Sequence, residues 1–187
     1  MSIRNLDAVF RPRSIALIGA SNRPDSVGHV VARNLLEGGF EGPVMPVSTT
    51  HSSIAGILAY NDVAHLPLAP DLAIICTPPA TVPGIVADLA ARGTRGAVVI
   101  SAGFNELGTD AGRTLERAML DAAKSSLLRI IGPNCLGIIS TTVRLNASFA
   151  ALAAASCRPA LMAITGLSRA AVRAADRNFR AWVMVSM

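Results

Sequence analysis

Apolar residues fall along this chain in short unbroken runs, separated by stretches where they recur every third or fourth position. The runs are Ser14–Ala20 (SIALIGA), Pro43–Ser48 (PVMPVS), Asp71–Thr77 (DLAIICT), Arg95–Ala102 (RGAVVISA) and Leu128–Gly132 (LRIIG). A run this short, with no polar alternation, reads as a strand covered on both faces. Gly28–Glu37 (GHVVARNLLE) reads as a helix stopped by Gly38 and Gly39, the glycines expected just past a helix end. Val82, Ile85, Val86, Leu89 and Ala90 keep the helical spacing, as do Leu115, Ala118, Met119 and Ala122, so each of these segments buries one stripe. Strands buried on both faces need helices on both sides, which right-handed crossovers provide. The pattern predicts an α/β fold, a doubly wound, Rossmann-like parallel sheet of about five strands.

We expect that sheet to form a domain over residues 1–145, with residues 146–187 opening a second, flavodoxin-like α/β unit. There Ala160–Thr165 (ALMAIT) resembles a strand, Ser168–Arg177 a helix, and Ala181–Met187 (AWVMVSM) a further strand. A unit of that size cannot close its own core, so it is expected to pack on the first domain or on another chain.

Composition narrows the picture. The chain has 187 residues, 51% hydrophobic and 16% charged, which suits one core of ordinary size and excludes a disordered acidic tail. No run approaches the roughly 18 continuous apolar residues of a membrane span, and the N-terminal MSIRNLDAVFRPRS lacks the apolar core of a secretory signal. A cytoplasmic location without a membrane partner is expected. Cys76, Cys135 and Cys157 are too scattered for a disulfide framework or a zinc site. The net charge of +5 is local: residues 1–143 are balanced, and six arginines against one aspartate in residues 144–187 carry the excess. A basic segment that short is not a nucleic-acid footprint, and no nucleic-acid partner is expected.

In an open parallel sheet, ligands bind beyond the carboxyl ends of the strands. The first run ends in Gly19-Ala20-Ser21, and a helix starts near Ser26–Gly28; its free N–H groups and positive dipole end suit an anion. The spacing departs from G-x-G-x-x-G, since Ser21 stands at the second glycine position. Ser48-Thr49-Thr50 closes the second strand, where a nicotinamide dinucleotide site wants a carboxylate for its ribose diol. Hydroxyls there tolerate a ribose phosphate that an acid would repel. The remaining runs end in Cys76-Thr77-Pro78, Ser101-Ala102-Gly103 and Gly132-Pro133-Asn134, small or polar residues without a proton-transfer pair. Glu106 reads as a solvated loop acid, Cys76 and Cys135 as packing thiols, and His29, His51 and His65 as isolated residues. Catalytic and metal-ligating residues are not expected.

The stretches RPRSIALIGASNRPDSVGHVVARNLLEGGFEGPVMPVS, PDLAIICTPPATVPGIV, GAVVISAGFNE, IIGPNCLGIIS and LNASFA resemble the CoA-binding domain of NDP-forming acyl-CoA synthetases, related to the succinyl-CoA synthetase alpha subunit. GGFEGPVMPV is also similar to the synthetase-like module of bacterial protein lysine acetyltransferases. The resemblance implies coenzyme A or acyl-CoA lying across the strand ends. Gly19, Ala20, Ser21, Ser26 and Gly28 would approach the phosphates, Pro46 and Ser48 would flank the nucleotide part, and Thr77, Pro78, Ser101 and Ala102 would line the pantetheine side. Asn134 would close the last loop toward the thiol. The family often carries Asn-Pro and Lys after the second strand, a pattern from which Ser48-Thr49-Thr50 departs. In complete synthetases a second domain carries a phosphorylated histidine and an ATP-grasp domain binds nucleotide. Residues 160–187 resemble the opening of that second domain and hold no histidine. The expected function is that of a CoA-binding module of an acetate–CoA ligase type enzyme, incomplete on its own. Its implied partner is an ATP-grasp beta subunit or an acetyltransferase domain, and self-association is expected as well. The alternatives are a regulatory acyl-CoA sensor of the acetyltransferase type and an NAD(P)-binding or interaction domain. A further expectation is that Gly19→Val abolishes CoA binding with little loss of fold.

Overall fold

A computed structural model describes residues 4–150 and 181–185. The five apolar runs form five strands: β1 (Ile15–Ile18), β2 (Val44–Val47), β5 (Leu72–Ile75), β6 (Gly96–Val99) and β7 (Arg129–Ile131). All pair in parallel in the order β2-β1-β5-β6-β7. Ile15 faces Val44 and Leu72, Leu72 faces Gly96, and Gly96 faces Arg129. The strands therefore start level and end level, which brings their carboxyl ends to one rim.

The absence of polar alternation is explained by two apolar layers. Ala16, Ile18, Ala73, Ile75, Ala97 and Val99 pack on one face against α3 (Val82–Ala91) and α4 (Asp110–Lys124). Ile15, Leu17, Leu72, Ile74 and Val98 pack on the other against α2 (Val27–Glu37), with Val9 of α1 (Leu6–Phe10) in the same layer. Neighbouring residues of one strand serve opposite layers, as a pleat dictates. The doubly wound α/β sheet is thus the observed architecture.

The paired segments are shorter than the apolar runs. After Ile18 the N–H groups of Gly19 and Ala20 both turn to the Val47 carbonyl (3.0 and 3.1 Å), so the β1 ladder ends there. At the opposite edge the Asp71 carboxylate accepts from the Arg13 backbone N–H (3.0 Å) and Nε (3.4 Å), and from Arg95. Burial opposes ionisation of Asp71 most, yet these donors together hold its carboxyl below the usual range. The cluster ties the starts of β1, β5 and β6.

Two hairpins lie beyond the expected pattern, and a strand falls within the one expected at 181–187. A small hairpin, β3 (Ser53–Ile54) and β4 (Ile57–Leu58), follows β2. A second hairpin, β8 (Cys135–Ser140) and β9 (Leu145–Ser148), follows β7. β10 (Ala181–Val185) pairs antiparallel with β8, Ala181 opposite Ser140. The strand expected at 160–165 and the helix expected at 168–177 lie outside the described residues. No helix among the described residues is long and apolar enough to cross a membrane.

Candidate functional site

The sheet order reverses between β1 and β5. The chain leaves β1 for α2 on one face and leaves β5 for α3 on the other, so the loops at residues 19–26 and 76–81 diverge and open a crevice at the rim.

Gly19 begins the first loop with φ +88°, and a Cβ there would stand 3.0 Å from the Cys76 carbonyl carbon and oxygen and 3.1 Å from Thr77 Cγ2. Its missing side chain accommodates the end of β5. The Gly19→Val expectation is corrected accordingly: a side chain at this φ, against that backbone, disturbs the fold together with any binding. Because Gly19 and Ala20 give their N–H groups to Val47, they shape the turn without offering donors. Ser26 caps α2, its Oγ accepting from His29 N (3.3 Å) and donating to the Arg23 carbonyl (2.8 Å). Among the described residues the amides of Ser21, Val27 and Gly28 have no acceptor. At position 28 a Cβ would lie 2.0 Å from the Gly19 carbonyl oxygen, so the helix start rests directly on the turn.

The end of β2 is built differently. Pro46 stays inside the strand, buried, with its carbonyl accepting from Tyr60 N (2.9 Å), and is not brought to the rim. Ser48 is buried too, and its Oγ accepts from the N–H groups of Thr50 (3.4 Å) and His51 (3.3 Å). Thr50 Oγ1 lies 2.8 Å from His51 Nδ1. His51, read from the sequence as isolated, thus belongs to a hydroxyl–imidazole cluster. Asn22 joins this segment to the first loop, its Nδ2 donating to the Ser53 carbonyl (2.8 Å) and its Oδ1 accepting from Ala55 N (3.2 Å). Neither residue carried a local signal, since Asn22 meets partners 31 and 33 positions away.

The other strand ends are stitched together. Ser101 Oγ donates to the Thr77 carbonyl (2.5 Å), and Asn134 N donates to the Ser101 carbonyl (2.9 Å). Thr81 Oγ1 donates to Thr77 Oγ1 (2.9 Å) and to the Pro78 carbonyl (2.8 Å). Thr77, Ser101 and Asn134 are half-buried, while Pro78 and Ala102 are exposed. These five residues form one continuous uncharged border over β5, β6 and β7.

Several ionisable groups are engaged by the fold itself. The exposed Glu106 carboxylate accepts from the N–H groups of Gly103 and Phe104 (3.0 Å for Phe104); burial opposes its ionisation, and these donors outweigh it and keep the carboxyl below its usual range. Burial pushes the Cys76 thiol up to about 12, with the neighbouring Cys135 adding to the rise. Burial likewise raises Cys135, whose Sγ donates to the Val99 carbonyl (3.4 Å). Thiols held protonated are poor nucleophiles. His65 is exposed and pairs with Asp62 (2.7 Å). Among the described residues no group of three or more His, Cys, Asp or Glu could hold a metal ion.

Residues 13–141 match the family described as the CoA binding domain. The alpha subunit of acetate–CoA ligase [ADP-forming] II from Pyrococcus furiosus is 41% identical over 149 residues, which cover 79% of this chain and 32% of that protein. Acetate–CoA ligase [ADP-forming] from Methanocaldococcus jannaschii is 40% identical over 145 residues, 78% of this chain and 20% of that protein. Among solved structures, acetyl-coenzyme A synthetase 1 of Ca. Korarchaeum cryptofilum, in complex with phosphate and ADP, gives a TM-score of 0.73 at 38% identity over 77% of this chain and 30% of that one. The chain spans about a third or less of the length of these relatives. The matched span runs from just before β1 to just past β8 and holds every loop of the rim. The chain belongs to the CoA-binding domain family, and coenzyme A is the ligand that membership assigns to it.

Proposed function

We propose that this chain binds coenzyme A across the strand-end rim, as the CoA-binding part of an ADP-forming acyl-CoA ligase. The observation that carries the reading is the uncharged border of Thr77, Pro78, Ser101, Ala102 and Asn134 beside a crevice flanked by the start of α2. The amides of Ser21, Val27 and Gly28 and the α2 dipole receive the diphosphate. The border on β5, β6 and β7 lines the extended pantetheine arm, a chain of amides and methylenes that suits half-buried hydroxyls and apolar carbon. Gly19, Ala20 and Ser26 hold the first loop in shape, and Asn134 closes the border at the thiol end.

We assign the rim no proton transfer: the Glu106 carboxylate beyond β6 is engaged by backbone N–H groups. Its contribution is to bind and orient, fixing the thiol for a reaction completed elsewhere. Acyl activation in such a ligase rests on a phosphorylated histidine and a nucleotide site, so the partner we propose is an ATP-grasp chain or segment. Both relatives named above are ADP-forming acetate–CoA ligases, which favours that partner over an acetyltransferase.

Calorimetric titration of the chain with coenzyme A, acetyl-CoA and NADH tests the reading. Saturable binding of coenzyme A and acetyl-CoA, with NADH failing to bind, is the expected result. A preference for NADH overturns it.

A further inference from the structure

We propose that the open edge of β7 is an interface for a second copy of this chain. Two β7 strands pair antiparallel through Ile130, and Leu120 and Leu127 of each copy pack against the other. The inference adds an assembly surface to the molecule and does not depend on which ligand the rim holds.

The two edges of the parallel sheet are built differently. Beside β2, Tyr60 runs parallel to Val47, its N–H donating to the Pro46 carbonyl (2.9 Å) and its carbonyl accepting from Ser48 N (2.8 Å), so that edge is covered. β7 ends the sheet on the other side, and among the described residues no strand pairs with its outer edge. Arg129 N donates inward to the Arg95 carbonyl (2.8 Å), and Arg129 stands opposite Gly96. Successive residues of a parallel ladder alternate in the side to which their backbone groups turn, so the N–H and carbonyl of Ile130 point outward. Ile130 is the middle residue of a three-residue strand. Such an edge is usually blunted by a lysine, a proline or a bulge. Here its one charged side chain, Arg129, donates to the Arg4 carbonyl (3.1 Å).

Two leucines flank that edge. Leu127, between α4 and β7, is 52% exposed and has φ +57°, a left-handed backbone past a helix end where glycine or asparagine is usual. Its N–H donates to the Lys124 carbonyl (3.3 Å) and its carbonyl accepts from Asn5 Nδ2 (2.8 Å), which hold the turn while the side chain faces solvent. A bulky residue strained in this way gains nothing in the single chain. Leu120, on α4, is 51% exposed. Met119 and Ala123 carry the buried stripe of that helix, Leu115 and Ala122 extend it to one side, and Leu120 stands on the other. Leu128 N donates to the Ala123 carbonyl (3.1 Å), so the end of α4 and the start of β7 form one surface.

The occupant that fits is the same surface. A two-fold axis through Ile130 lets two copies exchange both outward hydrogen bonds, and sets Arg129 opposite the partner's Ile131, not opposite its own counterpart. Arg117, Asp121 and Lys124 give the exposed face of α4 both signs, so a copy meets opposite charges where a uniformly acidic or basic partner would be repelled. Antiparallel pairing also turns the two strand-end rims in opposite directions, which leaves both crevices open.

Sedimentation velocity over a range of concentrations, with amide hydrogen exchange on the same samples, tests the assignment on the full chain and on Leu127→Asn and Leu120→Asp. The wild type is expected to dimerise, and its Ile130 amide to exchange more slowly as concentration rises. Asparagine suits the left-handed backbone, so Leu127→Asn should keep the thermal midpoint of the monomer. Each variant removes a leucine from both sides of the axis and should raise the dimer dissociation constant about thirtyfold or more. A wild type that stays monomeric overturns the inference, as does a dissociation constant that neither variant changes. A dimer whose Ile130 amide is indifferent to concentration is built on another surface and overturns it too.

Discussion

Gly28 has an ordinary helical backbone, so its own conformation would accept any side chain. What excludes one is the Gly19 carbonyl oxygen, 2.0 Å from where a Cβ would stand. Gly19 combines both constraints, a φ of +88° and the close backbone of Cys76. The two glycines therefore form a single contact, in which the first turns the chain and the second lets the helix settle on that turn. Overpacking here lifts α2 from the end of β1, and Gly28→Ala should cost about 1–3 kcal/mol, visible as a fall of several degrees in thermal midpoint. Gly84 supplies the control. It lies in α3, where an added Cβ would meet nothing within 4 Å, and Gly84→Ala should raise stability by up to about 1 kcal/mol. Equal stability of Gly28→Ala and the wild type would show that the helix start does not bear on the turn.

At the scale of elements, the five parallel strands and α2, α3 and α4 were legible because each carries a signal within its own span. The unbroken apolar run marks a strand covered twice, and the stripe spacing marks a helix covered once. The hairpin of β3 and β4 was not legible, since each strand has two residues and shows no period. Its position depends on Asn22, which reaches it from the loop after β1. The same lack of local signal hid the engagement of the Gly19 and Ala20 amides by Val47: the spacing marks where the first loop begins, not which of its donors are already taken. His51 looked isolated because its hydroxyl neighbours, adjacent in sequence, become a cluster only when Ser48 turns inward. Removing the Asn22 tether should loosen the hairpin alone. In Asn22→Ala the Ala55 amide should exchange with solvent about fivefold to tenfold faster, the loss of one hydrogen bond of about 1 kcal/mol. Amides of β1 should keep their protection. Unchanged exchange at Ala55 would mean that the hairpin is held by other contacts.

For the whole molecule, the decisive fact is that one sheet separates two apolar layers while its strand ends belong to both. Leu35 of α2 is fully buried in one layer and Leu89 of α3 in the other. Truncating either to alanine opens a cavity and should cost about 2–5 kcal/mol. Because every strand contributes alternate residues to the two layers, neither layer can dissolve while the other persists, and each variant should unfold in one transition at a lower temperature. Coenzyme A held at 100 times its dissociation constant should then add about 2.7 kcal/mol by mass action. The increment should be the same in both variants, since the rim joins loops that lead to α2 and to α3 and the truncated side chains lie below it. Calorimetric unfolding of the two variants, with and without ligand, reads both quantities. Two resolved transitions, or ligand stabilisation confined to one variant, would show that the crevice rests on one layer alone and that the sheet does not couple them.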